Sequence, residues 1–231
     1  MPAASMDDAV RAISIDDIAQ RLGGRWVLRG LTLRVDPGEC VAVVGHNGSG
    51  KTTLLRVLST VLRPTRGTGT IFGHDLVRDA DGVRASCAML NHGGGLYGDL
   101  TAAENLAFAQ RMMGERADMP AIKHALERVG MAPFANTRVR TFSSGMQRRT
   151  AVARLYLRDA RLLLLDEPYN SLDGDGVSLV DELLTSVRAK GGAALVVLHD
   201  LARTNTEFDR VIELAQGRIV AGATRSTIHA A

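Results

Sequence analysis

Lysine is almost missing from this 231-residue chain: of 28 basic residues only Lys51, Lys123 and Lys190 are lysines, and the rest are arginines. A lysine kept in such a sequence marks a need for a compact point charge on a flexible stem, which suits a phosphate group. Cysteine is equally scarce. Cys40 and Cys87 stand in apolar stretches, fit no metal-ligand spacing, and read as small buried residues of a reducing compartment. No run of 18 apolar residues exists, so no segment reads as membrane-spanning. The stretch from Met1 to Asp8 lacks the basic and apolar regions of a signal peptide, and Met6 is an alternative start, so a cytoplasmic location is expected. The arginines are scattered rather than clustered and the net charge is only +3; they read as solvated faces, and no nucleic acid partner is expected.

The chain does have ample apolar residues, 45% of the total, enough for the core of one domain or of two intimate lobes. Its most informative stretch begins with Val41 to Val44, an apolar run that reads as a buried strand. Gly45, His46, Asn47, Gly48, Ser49 and Gly50 follow as a loop, then Lys51 and Thr52, and a helix is predicted from Thr53 to Leu62. This spacing is that of a phosphate-binding P-loop. Glycines let successive N–H groups turn inward around an anion, and the helix N-terminus adds partial positive charge. Lys51 can reach the β- and γ-phosphates, and the Thr52 hydroxyl can ligate Mg²⁺.

Before this loop, alternating residues from Ala12 to Ile18 and from Leu28 to Val35 predict antiparallel strands with one covered face, ended by a turn at Asp36 to Glu39. After it, Arg63 to Gly69 breaks the pattern, Thr70 to Phe72 reads as a short strand, and Gly73 to Asp75 as a turn. From about residue 92 the next fifty residues are mostly helical. Thr101 and Glu104 form a capping box, and Ile122, Ala125, Leu126 and Val129 recur at helical spacing before Gly130. The α/β pattern resumes with the apolar strand Leu162 to Leu165, which ends in Asp166 and Glu167. A helix over Val177 to Lys190, a buried strand over Ala193 to Leu198 ending at His199 and Asp200, and a hairpin around Gln216 and Gly217 complete the chain. The fold class is therefore α/β with a mainly parallel sheet, whose ligand site lies at the C-terminal ends of its strands. The P-loop, the acid pair and His199 all occur at such ends.

Two adjacent acids after an apolar strand fit Walker B chemistry, with Asp166 holding Mg²⁺ and Glu167 orienting the attacking water. Between P-loop and acids lies Phe142-Ser143-Ser144-Gly145-Met146-Gln147-Arg148-Arg149, which resembles the signature motif of ABC ATPases. The resemblance runs in order over about residues 12–222 and takes in Asn170 to Asp173 as the D-loop and His199 as the switch histidine. It implies a single ABC ATPase domain over 1–231: a core over 12–91 and 156–222 with an N-terminal antiparallel part, and an inserted helical part over 92–155. It also implies a head-to-tail homodimer in which Ser143 and Gly145 meet the γ-phosphate of ATP held by the partner's P-loop, Thr53 included. The permease subunits would be separate transmembrane polypeptides, with this chain peripheral on the inner face of the cell membrane.

Three positions depart from the family pattern. Ser144 and Met146 give the signature an exporter-type form; the segment Leu90-Asn91-His92-Gly93-Gly94 lacks the Q-loop glutamine, with His92 at or near its place; and Leu22 stands where an aromatic usually stacks on adenine, leaving Trp26 as the candidate. Within the family, Gly73 to Val77 together with Leu90 to His92 and Leu96 to Leu106 resemble the ATP-binding subunits of heme exporters of cytochrome c biogenesis. Drug and lipid exporters share several of these motifs. A soluble, non-transport ABC ATPase would carry long coiled coils or paired ATPase units, and a P-loop kinase would leave the signature, D-loop and His199 without use.

Overall fold

The computed structural model describes residues 10–199, 201, 204 and 206–224, the side chains of 221–224 excepted. The stretch from Met1 to Asp8, and Asp200 after His199, lie outside the described residues. Strands β1 (Ile13–Leu22) and β2 (Arg25–Val35) form an antiparallel hairpin. Its two-residue turn is Gly23-Gly24, both at positive φ (54° and 81°), as the strand twist of a tight hairpin requires. β4 (Arg66–Ile71) pairs with the other edge of β1, and the two-residue β5 (His74–Asp75) closes a four-stranded sheet in the order β2-β1-β4-β5.

The second sheet has six strands in the order β10-β9-β3-β8-β7-β6. β3 (Cys40–Val44), β6 (Cys87–Leu90), β7 (Leu162–Asp166), β8 (Ala193–Val197) and β9 (Arg210–Ala215) run parallel, and β10 (Arg218–Thr224) returns antiparallel on β9. All five residues of β7 and of β8 are buried, which is why both read as unbroken apolar runs. Alternate side chains serve two cores. Leu162 and Leu164 pack with α1 (Lys51–Leu58) and the antiparallel sheet, whereas Leu163 and Leu165 pack with the helices between β6 and β7. Each such leucine contributes about 1.5–3 kcal/mol by leaving water, so a one-residue slip of β7 is strongly disfavoured.

The helices on that second side are α3 (Ala102–Met112), α4 (Met119–Arg128) and α5 (Ser144–Tyr156), with single 3₁₀ turns at Ala132–Phe134 and Val139–Thr141. α6 (Gly174–Ala189) covers β7 and β8.

The structure corrects several boundaries. α1 starts at Lys51 rather than Thr53, because Gly50 (φ 110°) is already its cap, and it stops at Leu58, where Thr60 turns to φ 60°. α6 starts at Gly174, three residues before the apolar repeat shows it, because Asp173 caps it. β4 runs through the supposed break at Arg66 to Gly69 and excludes Phe72, which sits at φ 47°. Finally, α2 (Ala80–Ser86) and β6 were not legible. α2 buries only Val83 and Ser86, and a four-residue apolar run such as β6 carries no period.

Candidate functional site

Gly45 follows β3 at φ 148°, and a Cβ there would stand 2.1 Å from the Leu214 carbonyl oxygen, so no other residue fits. The loop then turns over His46, Asn47 and Gly48, all exposed, and enters α1. Lys51 is 7% exposed and its Nζ donates to the carbonyls of Gly45 and His46, at 2.5 and 3.1 Å. Residues 47–53, with Val27, Asp166 and Glu167, enclose a cavity of about 170 Å³. The buried Ser49 hydroxyl, on this wall, has no hydrogen-bond partner among the described residues. Thr53, also on this wall, is buried.

Parallel pairing of β7 with β8, from Leu162↔Ala193 to Asp166↔Val197, brings the acid pair to this loop. Thr52 Oγ1 donates to Asp166 Oδ2 at 2.7 Å, and Asp166 is 2% exposed. Two oxygens so close, beside a phosphate cradle, are the ligand set that Mg²⁺ takes when substrate phosphates and water complete its shell. The donor-rich loop, the orphan Ser49 hydroxyl and this oxygen pair together fit a magnesium nucleotide.

Glu167 lies next along the chain at φ 48°, a left-handed conformation that costs a non-glycine residue roughly 1–2 kcal/mol. Its N–H donates to the Val197 carbonyl at 3.0 Å, and its carbonyl accepts the Asn170 N–H at 3.2 Å. On the side chain, Asn170 Nδ2 donates to Oε2, and His92 Nδ1 stands 3.6 Å from the same oxygen. His92 is otherwise exposed, so its imidazole faces the Glu167 carboxylate. Behind these groups Arg148 reaches the backbone of the acid pair, a contact absent from the sequence reading.

Ser143 caps α5, its Oγ accepting the Met146 N–H at 3.2 Å. Gly145 lets the helix approach the D-loop, since a Cβ there would stand 2.9 Å from the Ser171 carbonyl oxygen. Neither residue lines the cavity of its own P-loop. Ser144, Gln147 and Arg148 instead border a second cavity, of about 500 Å³, with His92, Asn170 and Ser171. Asp173, at the end of the D-loop, is held below the usual carboxylate range by the Gly176 N–H and then by Arg149.

His199 is exposed at the bend after β8. Trp26 is 44% exposed on β2, and Leu22 37%. Val27, the neighbour of Trp26, lines the P-loop cavity, but Trp26 itself does not. Cys40 and Cys87 are buried, and burial pushes both thiols up to about 12, so neither supplies a thiolate.

The profile of the ABC transporter family matches residues 28–170. The chain is 40% identical over 194 residues to cytochrome c biogenesis ATP-binding export protein CcmA 2 of Cupriavidus metallidurans, covering 84% of this chain and 91% of that one. It is 35% identical over 221 residues to daunorubicin resistance ATP-binding protein DrrA3 of Streptomyces coeruleorubidus, covering 95% and 70%. Among solved structures, the ATP-binding subunit of an ABC transporter superposes with a TM-score of 0.84 at 26% identity, over 95% of this chain and 92% of that one. A dimeric ATP-binding cassette in a post-hydrolysis state with ADP and Pi gives 0.83 at 23% identity, over 92% and 98%, and shares the fold. The chain thus belongs to the ATP-binding proteins of ABC transporters, and it is an ATPase.

Proposed function

We propose that this ATPase powers a heme exporter that serves the assembly of c-type cytochromes. The observation that carries the reading is the 40% identity, over most of both chains, to a cytochrome c biogenesis export protein. The motifs from Gly73 to Leu106 and the Ser143-Ser144-Gly145-Met146 signature support it. Export of a drug or lipid is the second reading, favoured by the daunorubicin resistance relative, which is matched over 95% of this chain.

In the proposed mechanism the N–H groups of residues 45–52 and the Lys51 ammonium bind the phosphate chain of ATP. Thr52 and Asp166 would hold Mg²⁺, which would supply charge neutralisation for the phosphate chain. Glu167 accepts a proton from the water whose oxygen attacks the γ-phosphorus, and the bond to the bridging oxygen breaks to leave ADP and phosphate. Trp26 stacks on the adenine. Two copies pair head to tail, so that Ser143 and Gly145 of one meet the γ-phosphate bound by the other, and His199 closes on the same phosphate as the switch. The core over 12–91 and 156–222 carries the nucleotide, and the helical part over 92–155 carries the signature.

The membrane-spanning permeases are separate chains. Among the described residues no helix is long and apolar enough to cross a membrane. A groove of about 330 Å³ on the helical side, lined by Met89, Tyr97, Phe108, Met112 and Met113, offers them an apolar contact. It is continuous with Gly95, at the end of the segment that carries His92. Docked there, the chain lies peripherally on the inner face of the membrane. No nucleic acid takes part.

Replacing the gene by a Glu167→Gln copy tests both levels. Purified, the variant should bind ATP while hydrolysis falls by roughly 10²–10⁴, the usual range for a lost general base. In the cell, heme covalently attached to c-type cytochromes should disappear while b-type cytochromes stay normal. Intact c-type cytochromes with new drug or lipid sensitivity would select the second reading.

A further inference from the structure

Charges taken out of solvent are costly and are kept where something depends on them. Among the described residues three charged side chains are buried: Lys51 and Asp166 in the nucleotide cavity, and Arg148, which is 5% exposed. Arg148 lies in the second turn of α5, and its hydrogen bonds go to three backbone carbonyls. Nη1 donates to Asn91 at 3.0 Å; Nη2 donates to Asp166 at 3.2 Å and to Glu167.

We propose that Arg148 is a positioning residue for hydrolysis: its guanidinium fixes the strained backbone of Glu167 so that the carboxylate faces the attacking water, and it ties that orientation to the segment carrying His92. The proposal rests on the reading of Glu167 as the group that orients the water.

The geometry supports this in three ways. A non-glycine residue at φ 48° persists only where its surroundings over-determine it. Both peptide groups of Glu167 are held, the N–H by Val197 and the carbonyl jointly by Asn170 and Arg148. Next, the donor is a charged planar fork, which binds more strongly than a neutral donor and fixes direction as well as distance. Lastly, the same fork holds the Asn91 carbonyl, and the neighbouring His92 faces the Glu167 carboxylate. A movement of the loop at 91–95 therefore reaches Glu167 through both its backbone and its side chain. Arg154 holds the far end of that loop through the carbonyls of Gly94 and Gly95, at 2.9 and 2.7 Å.

The experiment is single-turnover hydrolysis of MgATP by the full-length chain as wild type, Arg148→Met, Glu167→Gln and the double variant, with ATP affinity measured alongside. Arg148→Met should slow hydrolysis roughly 10–100-fold, as losing a supporting contact at a site commonly does. The ATP dissociation constant should stay within about twofold. In the Glu167→Gln background the same substitution should change the residual rate by no more than about twofold, because a group acting through Glu167 has nothing left to act on. A full 10–100-fold loss in that background, or a parallel loss of ATP affinity, would overturn the proposal and leave the Glu167 reading intact. Near-normal hydrolysis by Glu167→Gln alone would overturn that reading, and the proposal with it. If Arg148→Met does not fold, Arg148→Lys, which keeps the charge but loses the fork, carries the same comparison. A wild-type rate in that variant would then overturn the proposal.

Discussion

Trp26 is the chain's single tryptophan and keeps 44% of its surface in solvent, an unusual place for an indole with no task. It adjoins Val27, which lines the nucleotide cavity, so ATP binding should change its emission. Stacking on adenine is worth about 1 kcal/mol, and Trp26→Ala should therefore raise the ATP dissociation constant roughly fivefold in an equilibrium titration. Unchanged affinity would leave the base to aliphatic contacts. At this scale the sequence is most legible where local chemistry dictates the residue. Gly45 and Lys51 follow from what a phosphate cradle needs, and Thr52 and Asp166 meet at 2.7 Å as the motifs require. Arg148 was not legible as a functional residue. Its acceptors lie 57, 18 and 19 positions away along the chain, and nothing in its own neighbourhood distinguishes a buried arginine from the exposed ones.

Elements were legible in proportion to their local signals. The capping box at the start of α3 is one such signal: Thr101 Oγ1 accepts the Glu104 N–H at 3.2 Å, and Glu104 Oε2 accepts the Thr101 N–H at 2.8 Å. Thr101→Ala should destabilise the protein by about 1 kcal/mol, seen as a thermal midpoint lower by roughly 2–4 °C, with ATP affinity unchanged because α3 does not touch the nucleotide cavity. An unchanged midpoint would show that tertiary packing of Ala102 and Leu106 alone holds the helix start. β7 and β8 were legible for a different reason, as apolar runs buried on both faces. α2 and β6 lacked both kinds of signal, and β4 was masked by its glycines Gly67 and Gly69. Those two are there because β1 passes too close for a Cβ: one at Gly67 would stand 2.4 Å from the Asp17 carbonyl oxygen.

For the whole molecule, the important fact is a separation. Ser143 and Gly145 sit at the N-terminal end of α5, facing the D-loop, while the P-loop cavity is walled by Val27, residues 47–53 and the acid pair. On the roles proposed for these residues, one chain holds two halves of a phosphate site that it does not bring together. A head-to-tail pair would join them twice over, each nucleotide lying between the P-loop of one copy and the signature of the other. Cassettes of this fold form dimers. The arrangement has a consequence that mixing can reveal. Lys51→Ala removes the phosphate cation from one half, and Ser143→Arg fills the other half with a long side chain; each homodimer then carries two damaged sites. In a mixed dimer both lesions fall on the same site and the second site is intact. If half the dimers in an equal mixture are mixed, and each retains one working site, the mixture should recover about a quarter of the wild-type hydrolysis per chain, provided the two sites fire independently. Strict alternation between sites would stall a dimer with one dead site, so the first turnover is read as well: the mixed dimer should release one burst of phosphate from its intact site. A mixture that exceeds the sum of the separate variants neither in that burst nor in steady hydrolysis, at any mixing ratio and with dimers confirmed by mass, would show that the signature does not act across the pair.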